Sequence, residues 1–102
     1  GPTPGIVTNT TGTGALRSTK SVIVPVHDAG EVTITDVSFY GFEEGDGLTF
    51  QVLEDGQLVA GTFLERSFPR NTVALRAFVA GGRMVEVRAS GYWTFLTFTH
   101  PR

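Results

Sequence analysis

Apolar and polar side chains alternate with a period of two along most of this chain, which is the pattern of half-buried β-strands. No segment follows the helical period of about 3.6 residues. Turn residues separate the alternating runs, and the pattern predicts an all-β domain, an antiparallel β-sandwich or small barrel of about seven strands. The predicted strands are Lys20–Val26, Glu31–Tyr40, Leu48–Leu53, Leu58–Leu64, 73–79, 83–89 and 92–99.

Two strands carry local features that predict their geometry. Asp55-Gly56 is a strong type I′ hairpin signal. With these residues as a two-residue turn, Val52 is expected to face Val59. In the strand 31–40 the apolar phase changes midway, and a strict alternation allows no such change. We therefore expect a bulge or a crossing between sheets near Thr35-Asp36.

The last three predicted strands follow one another so closely that we expect an antiparallel meander. Ala80-Gly81-Gly82 predicts a three-residue hairpin loop and Ser90-Gly91 a two-residue turn. The first loop pairs Ala77 with Val85. The second turn sets Arg88 across from Trp93 on the outer face of the sheet.

Residues 1–18 are rich in Gly, Pro, Thr and Asn and hold few large apolar side chains. This composition predicts a flexible linker or N-terminal arm outside the core. Gly1-Pro2 is interpreted as the scar of a cleaved tag. The β-sandwich domain is expected to span 19–102.

The composition narrows the possible chemistry. The net charge of −2 provides no cationic field for nucleic acid or an anionic membrane, and the chain has no cysteine for disulfides or thiolate metal sites. His27-Asp28 is interpreted as a turn, and His100 as an exposed residue near the end. The acidic segment 43–47 is compatible with calcium, but its spacing favours a solvated turn. The sequence thus predicts no catalytic, cofactor-binding or metal-binding residues and a protein that is not an enzyme.

The outer face of the predicted meander is the constellation with the clearest functional potential, because it mixes large apolar side chains with charges. Three explanations remain open: another part of this chain covers the face, a second subunit does, or the aromatic rings form a platform for sugars. The candidate interface residues are Arg76, Phe78, Met84, Arg88, Trp93 and Phe95.

Three stretches are similar to the head domains of the tumour-necrosis-factor and complement-C1q type. They are Leu48–Ala60 with its Asp55-Gly56 turn, the strand–glycine-turn–strand unit 73–87, and the segment 90–96, which resembles a closing strand near a trimer axis. The resemblance implies a jelly-roll-like fold and a homotrimer, as in heads at the ends of bacteriophage or other appendage fibres.

The function expected from the sequence is therefore a non-enzymatic structural or attachment module, a β head or decoration domain of a virion or extracellular appendage. Its expected partners are copies of itself, with a trimer favoured, other virion proteins or a cell-surface glycan. The alternative is a carbohydrate-binding module that uses an aromatic sheet face, with Tyr92 and Trp93 as stacking residues.

Overall fold

The computed structural model describes residues 2–9, 17–39, 45–65 and 72–102. It confirms the all-β prediction, since these residues form seven antiparallel strands and no helix. The strands are β1 (Thr3–Thr8), β2 (Arg17–Val26), β3 (Gly30–Phe39), β4 (Gly47–Glu54), β5 (Gln57–Glu65), β6 (Leu75–Val79) and β7 (Arg83–His100).

The long strand β7 organises the sheet. Its first half, 83–92, lies between β2 and β4, and its second half, 93–100, lies between β1 and β3. Outside these strands, β5 pairs with β4 and β6 pairs with β3. Because β5 also contacts β6 and β1 contacts β2, the sheet is nearly closed around one core.

The predicted meander is wrong, because Ser90 and Gly91 lie inside β7 and form no turn. Gly91 has a φ of 137°, and a Cβ placed there would lie 2.3 Å from the carbonyl oxygen of Gly47. The glycine thus permits a close approach of two backbones in mid-strand. The predicted loop at 80–82 does join two strands, but β6 pairs with β3 instead of β7, so that Ala77 lies opposite Val32.

A bulge lets β7 bury side chains in both of its halves. Trp93 pairs with Phe39 and Phe95 pairs with Ser38, which leaves Thr94 as the extra residue on β7. The buried positions accordingly change from odd numbers up to Trp93 to even numbers from Leu96 onward. The Thr94 hydroxyl lies 2.8 Å from the Ser38 hydroxyl and donates to it.

The bulge predicted in β3 is confirmed. The register of β3 against β7 shifts between Thr35 and Ser38, and Asp36 has a φ of 47°. Ile34 before the shift and Val37 after it are both buried.

The Asp55-Gly56 turn is also confirmed, with φ values of 47° and 79° that suit a type I′ turn. Its register fails beyond Leu58, because a bulge at Val59 sets Val52 opposite Ala60. Val59 and Phe63, which the uninterrupted register places inside, are therefore exposed.

Trp93 is the largest side chain fully buried in the core. Its indole N–H donates to the carbonyl oxygen of Ser18 at 3.0 Å, so burial leaves no unpaired donor. The Asn9 side-chain amide donates to the Trp93 carbonyl oxygen at 3.0 Å. The remaining buried hydrophobic residues are Val7, Val26, Val32, Ile34, Val37, Leu48, Phe50, Val52, Leu53, Ala77, Val79, Val85, Val87, Ala89, Leu96 and Phe98.

The prediction of a linker over residues 1–18 is wrong for the part that the structure describes. Residues 3–8 form β1, which pairs with β7 from His100 to Phe95, and Val7 is buried. Arg17 and Ser18 belong to β2, and residues 10–16 lie outside the described residues. Pairing with β7 supplies the hydrogen bonds that the composition of this segment does not reveal.

A pair of adjacent substitutions tests whether β1 belongs to the core. Val7→Ala is expected to lower the free energy of unfolding by about 1–3 kcal/mol, because it removes buried methyl groups. Ile6→Ala is the control, since Ile6 points outward, and it is expected to change stability by less than about 0.5 kcal/mol. Urea denaturation measures the free energy of unfolding of both variants. Equally small losses in the two variants would mean that β1 lies outside the core.

A glycine pair tests the close approach at β7. Gly91→Ala and Gly82→Ala both place a side chain at positive φ, but only Gly91 faces the backbone of another strand, and a Cβ at Gly82 meets nothing within 4 Å. We expect Gly91→Ala to lose at least about 2 kcal/mol more stability than Gly82→Ala. Thermal unfolding of the two variants provides the comparison, and matching losses would contradict the steric explanation.

Candidate functional site

The six candidate interface residues do not form one surface. Trp93 lies in the core, where it can neither stack on a sugar nor face Arg88 across a hairpin. Phe95 pairs with Thr8 and Ser38 on the second half of β7. Arg76 and Phe78 lie on β6, where they pair with Thr33 and Glu31 of β3.

Met84 and Arg88 share the outer face formed by β2, the first half of β7, β4 and β5, whereas Arg76 and Phe78 share the outer face of β6, where both are exposed. Arg88 lies opposite Ser21 and Gln51 and not opposite Trp93. Its guanidinium forms a 2.8 Å ion pair with the Glu86 carboxylate on the same strand. The predicted register that sets Arg88 against Trp93 is therefore wrong.

This outer face carries an apolar strip that combines residues of four strands. The register aligns Ile23, Glu86, Leu53 and Leu58 across the four strands, and Pro25 and Met84 form the neighbouring row. We define the apolar strip as Ile23, Pro25, Leu53, Leu58 and Met84. Three of its members are strongly exposed: Ile23 at 55%, Leu58 at 60% and Met84 at 46%.

A sequence signal for the strip exists in β2. Residues 22–26 are Val-Ile-Val-Pro-Val, an unbroken apolar run. A strand with one solvent-exposed face normally alternates apolar and polar residues. Val22, Val24 and Val26 face the core, so Ile23 and Pro25 must face outward. An apolar run on a strand with an exposed face therefore indicates a second contact surface.

Hydrogen bonds to the backbone hold the strip's end of the sheet rigid. The buried Glu54 carboxylate accepts the N–H groups of Ala80 at 2.9 Å and Gly81 at 3.1 Å, which fixes the turn between β6 and β7. Gly82 N–H donates to the His27 carbonyl oxygen at 3.0 Å. The N–H groups of His27 and the residue after it donate to the carbonyl oxygen of residue 102. The turns and the residues after β7 thus form one connected unit.

A shallow groove of about 250 Å³ borders the strip, lined in part by Pro25 and Met84. Its polar side consists of His27, Asp55 and Arg83. Asp55 Oδ1 accepts the Met84 N–H at 3.0 Å, and Asp55 Oδ2 lies 4.0 Å from Arg83 Nε. One end of the strip is therefore bordered by the Asp55–Arg83 pair, and Glu86 lies within the row of Ile23 and Leu53.

The remaining candidates from the sequence have structural roles or lie outside the described residues. The prediction of an exposed His100 is wrong, because the side chain is buried and its Nδ1 lies 2.7 Å from the Pro101 carbonyl oxygen. Within the described ranges, no group of three or more His, Asp or Glu side chains is arranged to hold a metal ion. Glu43 and Glu44 of the acidic segment lie outside those ranges. Among the residues that the structure describes, no helix could cross a membrane.

No protein-family model matches the chain, and no match to a curated protein or to a solved structure was found. The functional proposals therefore rest on the geometry and chemistry of the surface.

The carboxylate of Glu54 provides a test of the rigid end of the sheet. In Glu54→Gln an amide N–H₂ replaces Oε1, which lies 3.2 Å from the Ala80 N–H, and the bonds to the remaining oxygen lose the assistance of the negative charge. We expect a loss of about 1–3 kcal/mol in the free energy of unfolding and faster amide hydrogen exchange at Ala80 and Gly81. Glu31→Gln, at an exposed carboxylate, is the control and should change neither quantity. Unchanged amide hydrogen exchange in Glu54→Gln would show that the Glu54 carboxylate does not stabilise the turn between β6 and β7.

Proposed function

We propose that the chain is a non-enzymatic assembly module, a β head or decoration domain of a virion or extracellular appendage, and that it associates with copies of itself through the apolar strip. The observation that carries this proposal is the strip itself. Ile23, Leu58 and Met84 are exposed large apolar side chains on one face of the sheet, with the Glu86–Arg88 pair on the same face, and an apolar surface that includes polar residues of this kind marks an interaction site.

We also propose that the fold is jelly-roll-like, which the strand order supports. When the two halves of β7 are numbered as the seventh and eighth strands, the pairings give the orders 6-3-8-1 and 5-4-7-2. A jelly roll also places eight antiparallel strands in two sheets with Greek-key connections. The resemblance to trimeric heads of the tumour-necrosis-factor and C1q type favours three copies over two.

The charges around the strip suit a specific contact. The Glu86–Arg88 pair lies within the same face, and the Asp55–Arg83 pair lies at its end. In an assembly, both pairs penalise any alignment that sets like charges opposite each other. Met and Arg are also enriched at interface cores.

The alternative of an aromatic sugar platform lacks its main residue, because Trp93 is inside the protein. This side chain has no exposed surface and already donates its indole N–H to Ser18. A stacking role would require the core to open.

Light scattering coupled to size exclusion tests the assembly proposal. The wild type is expected to have the mass of a homo-oligomer, with a trimer favoured. Met84→Glu should yield folded monomers, because it brings a like charge next to Glu86 of each copy in a contact that excludes water. Ile6→Glu, an exposed apolar-to-acidic change on a different strand, is the control and should keep the wild-type mass. A monomeric wild type would overturn the proposal, and an oligomeric Met84→Glu would remove the strip as the contact.

A further inference from the structure

A second groove lies on the other outer face of the sheet, over the second half of β7. It is an open groove of about 470 Å³ between β1 and β3. Thr97 and Thr99 form its floor, Pro4 and Ile6 line one side, and Thr35 and Asp36 line the other. None of these residues belongs to the apolar strip.

The floor belongs to a longer array of threonine hydroxyls on β3 and β7, which extends beyond the groove to Thr33. Thr35 lies opposite Thr97 and Thr33 lies opposite Thr99, and in each strand the residue between the two threonines, Ile34 or Phe98, is buried. Thr97 Oγ1 donates to the Thr35 carbonyl oxygen at 3.0 Å, so its hydrogen is directed and its lone pairs remain for a ligand. The Thr97 hydroxyl is thus held by the sheet itself.

Asp36 places a carboxylate at the edge of this array. Its φ of 47° is unusual for a residue other than glycine, and the bulge of β3 holds it in that conformation. Its Oδ2 lies 3.5 Å from Thr97 Oγ1, and the side chain is exposed. A carboxylate beside a hydroxyl can accept hydrogen bonds from two neighbouring hydroxyl groups of one ligand.

The opposite side of the groove is apolar. Ile6 is 52% exposed, and Pro4 is exposed next to it on the outer face of β1. The groove therefore combines hydroxyl and carboxylate groups on one side with an aliphatic surface on the other. A pyranose ring has the same division between its hydroxyl edge and its C–H face.

We propose that this groove binds a neutral sugar ring. The ring's vicinal hydroxyls donate to the Asp36 carboxylate and to Thr97 Oγ1, and they exchange hydrogen bonds with Thr99, while the ring's C–H face lies against Ile6 and Pro4. Among the described lining residues the only charge is that of Asp36, which repels acidic sugars and phosphorylated ligands. The site needs no second copy of the chain, and it does not depend on the assembly proposal.

Titration of the isotope-labelled protein with neutral methyl glycosides, followed by amide NMR shifts, tests the inference. The probes are the methyl glycosides of glucose, galactose, mannose and N-acetylglucosamine at millimolar concentration. We expect at least one of them to give saturable shifts confined to Asp36, Thr97, Thr99 and the neighbouring residues of β1.

Two variants locate the binding. Asp36→Gly keeps the backbone conformation, because glycine adopts positive φ freely, and it should weaken binding by about tenfold or more through the loss of charge-assisted hydrogen bonds. Thr33→Val is the control: it removes a hydroxyl from the same array at a position that does not line the groove, and it should bind like the wild type.

The inference is overturned if none of the four glycosides gives saturable shifts, if the shifts lie elsewhere, or if Asp36→Gly binds as well as the wild type. Asp36→Gly is also expected to keep the wild-type mass in light scattering. Loss of sugar binding and loss of assembly are therefore separate results, and either proposal can fail alone.

Discussion

The whole fold depends on one strand that is hydrogen-bonded along both edges while it bends. The first half of β7 pairs with β2 and β4, and its second half pairs with β1 and β3. In a regular strand every second side chain faces the same side. The buried side chains of β7 are at odd positions up to Trp93 and at even positions from Leu96 onward, so a regular strand could not direct both sets into the core. Gly91 permits the backbone to approach Gly47, and the extra residue at Thr94 resets the alternation. The buried Trp93 lies between these two irregularities and fixes the bend by packing and by its bond to Ser18.

The sequence predicts strands well and pairing poorly, for a physical reason. Alternation reports which side chains of a segment share a face, and it locates most of β2 to β5. It does not report which segment lies alongside. Ser90-Gly91 reads as a turn because glycine is common in turns, but glycine also occurs where two backbones nearly touch. To choose between a turn and a close approach of two backbones, one must know that Gly47 lies beside Gly91. This contact joins residues far apart in the sequence, and no local pattern reports it.

The same limit applies to the candidate surfaces. The apolar strip consists of residues from β2, β4, β5 and β7, and no local pattern aligns Ile23 with Leu58. The surface predicted from the sequence joins Trp93 to Arg88 through a register that does not exist, so it assigns to the outside the largest side chain of the core. Where local chemistry determines the geometry, as at Asp55-Gly56 and at the phase change near Asp36, the prediction is confirmed.

The order in which the strands are synthesised has a consequence for how such a protein is made. Among the described strands, β7 leaves the ribosome last, yet β1 and β2 have it as their only hydrogen-bonding partner. A nascent chain that has reached β6 can form the β4–β5 hairpin, but β1 and β2 stay without a pairing strand until β7 has been synthesised. The polypeptide therefore acquires its fold in one late step, and until that step its unpaired edges are open to other chains. Crowded expression would show this as aggregation of incomplete chains, even though β1 and β2 are both paired with β7 in the finished domain.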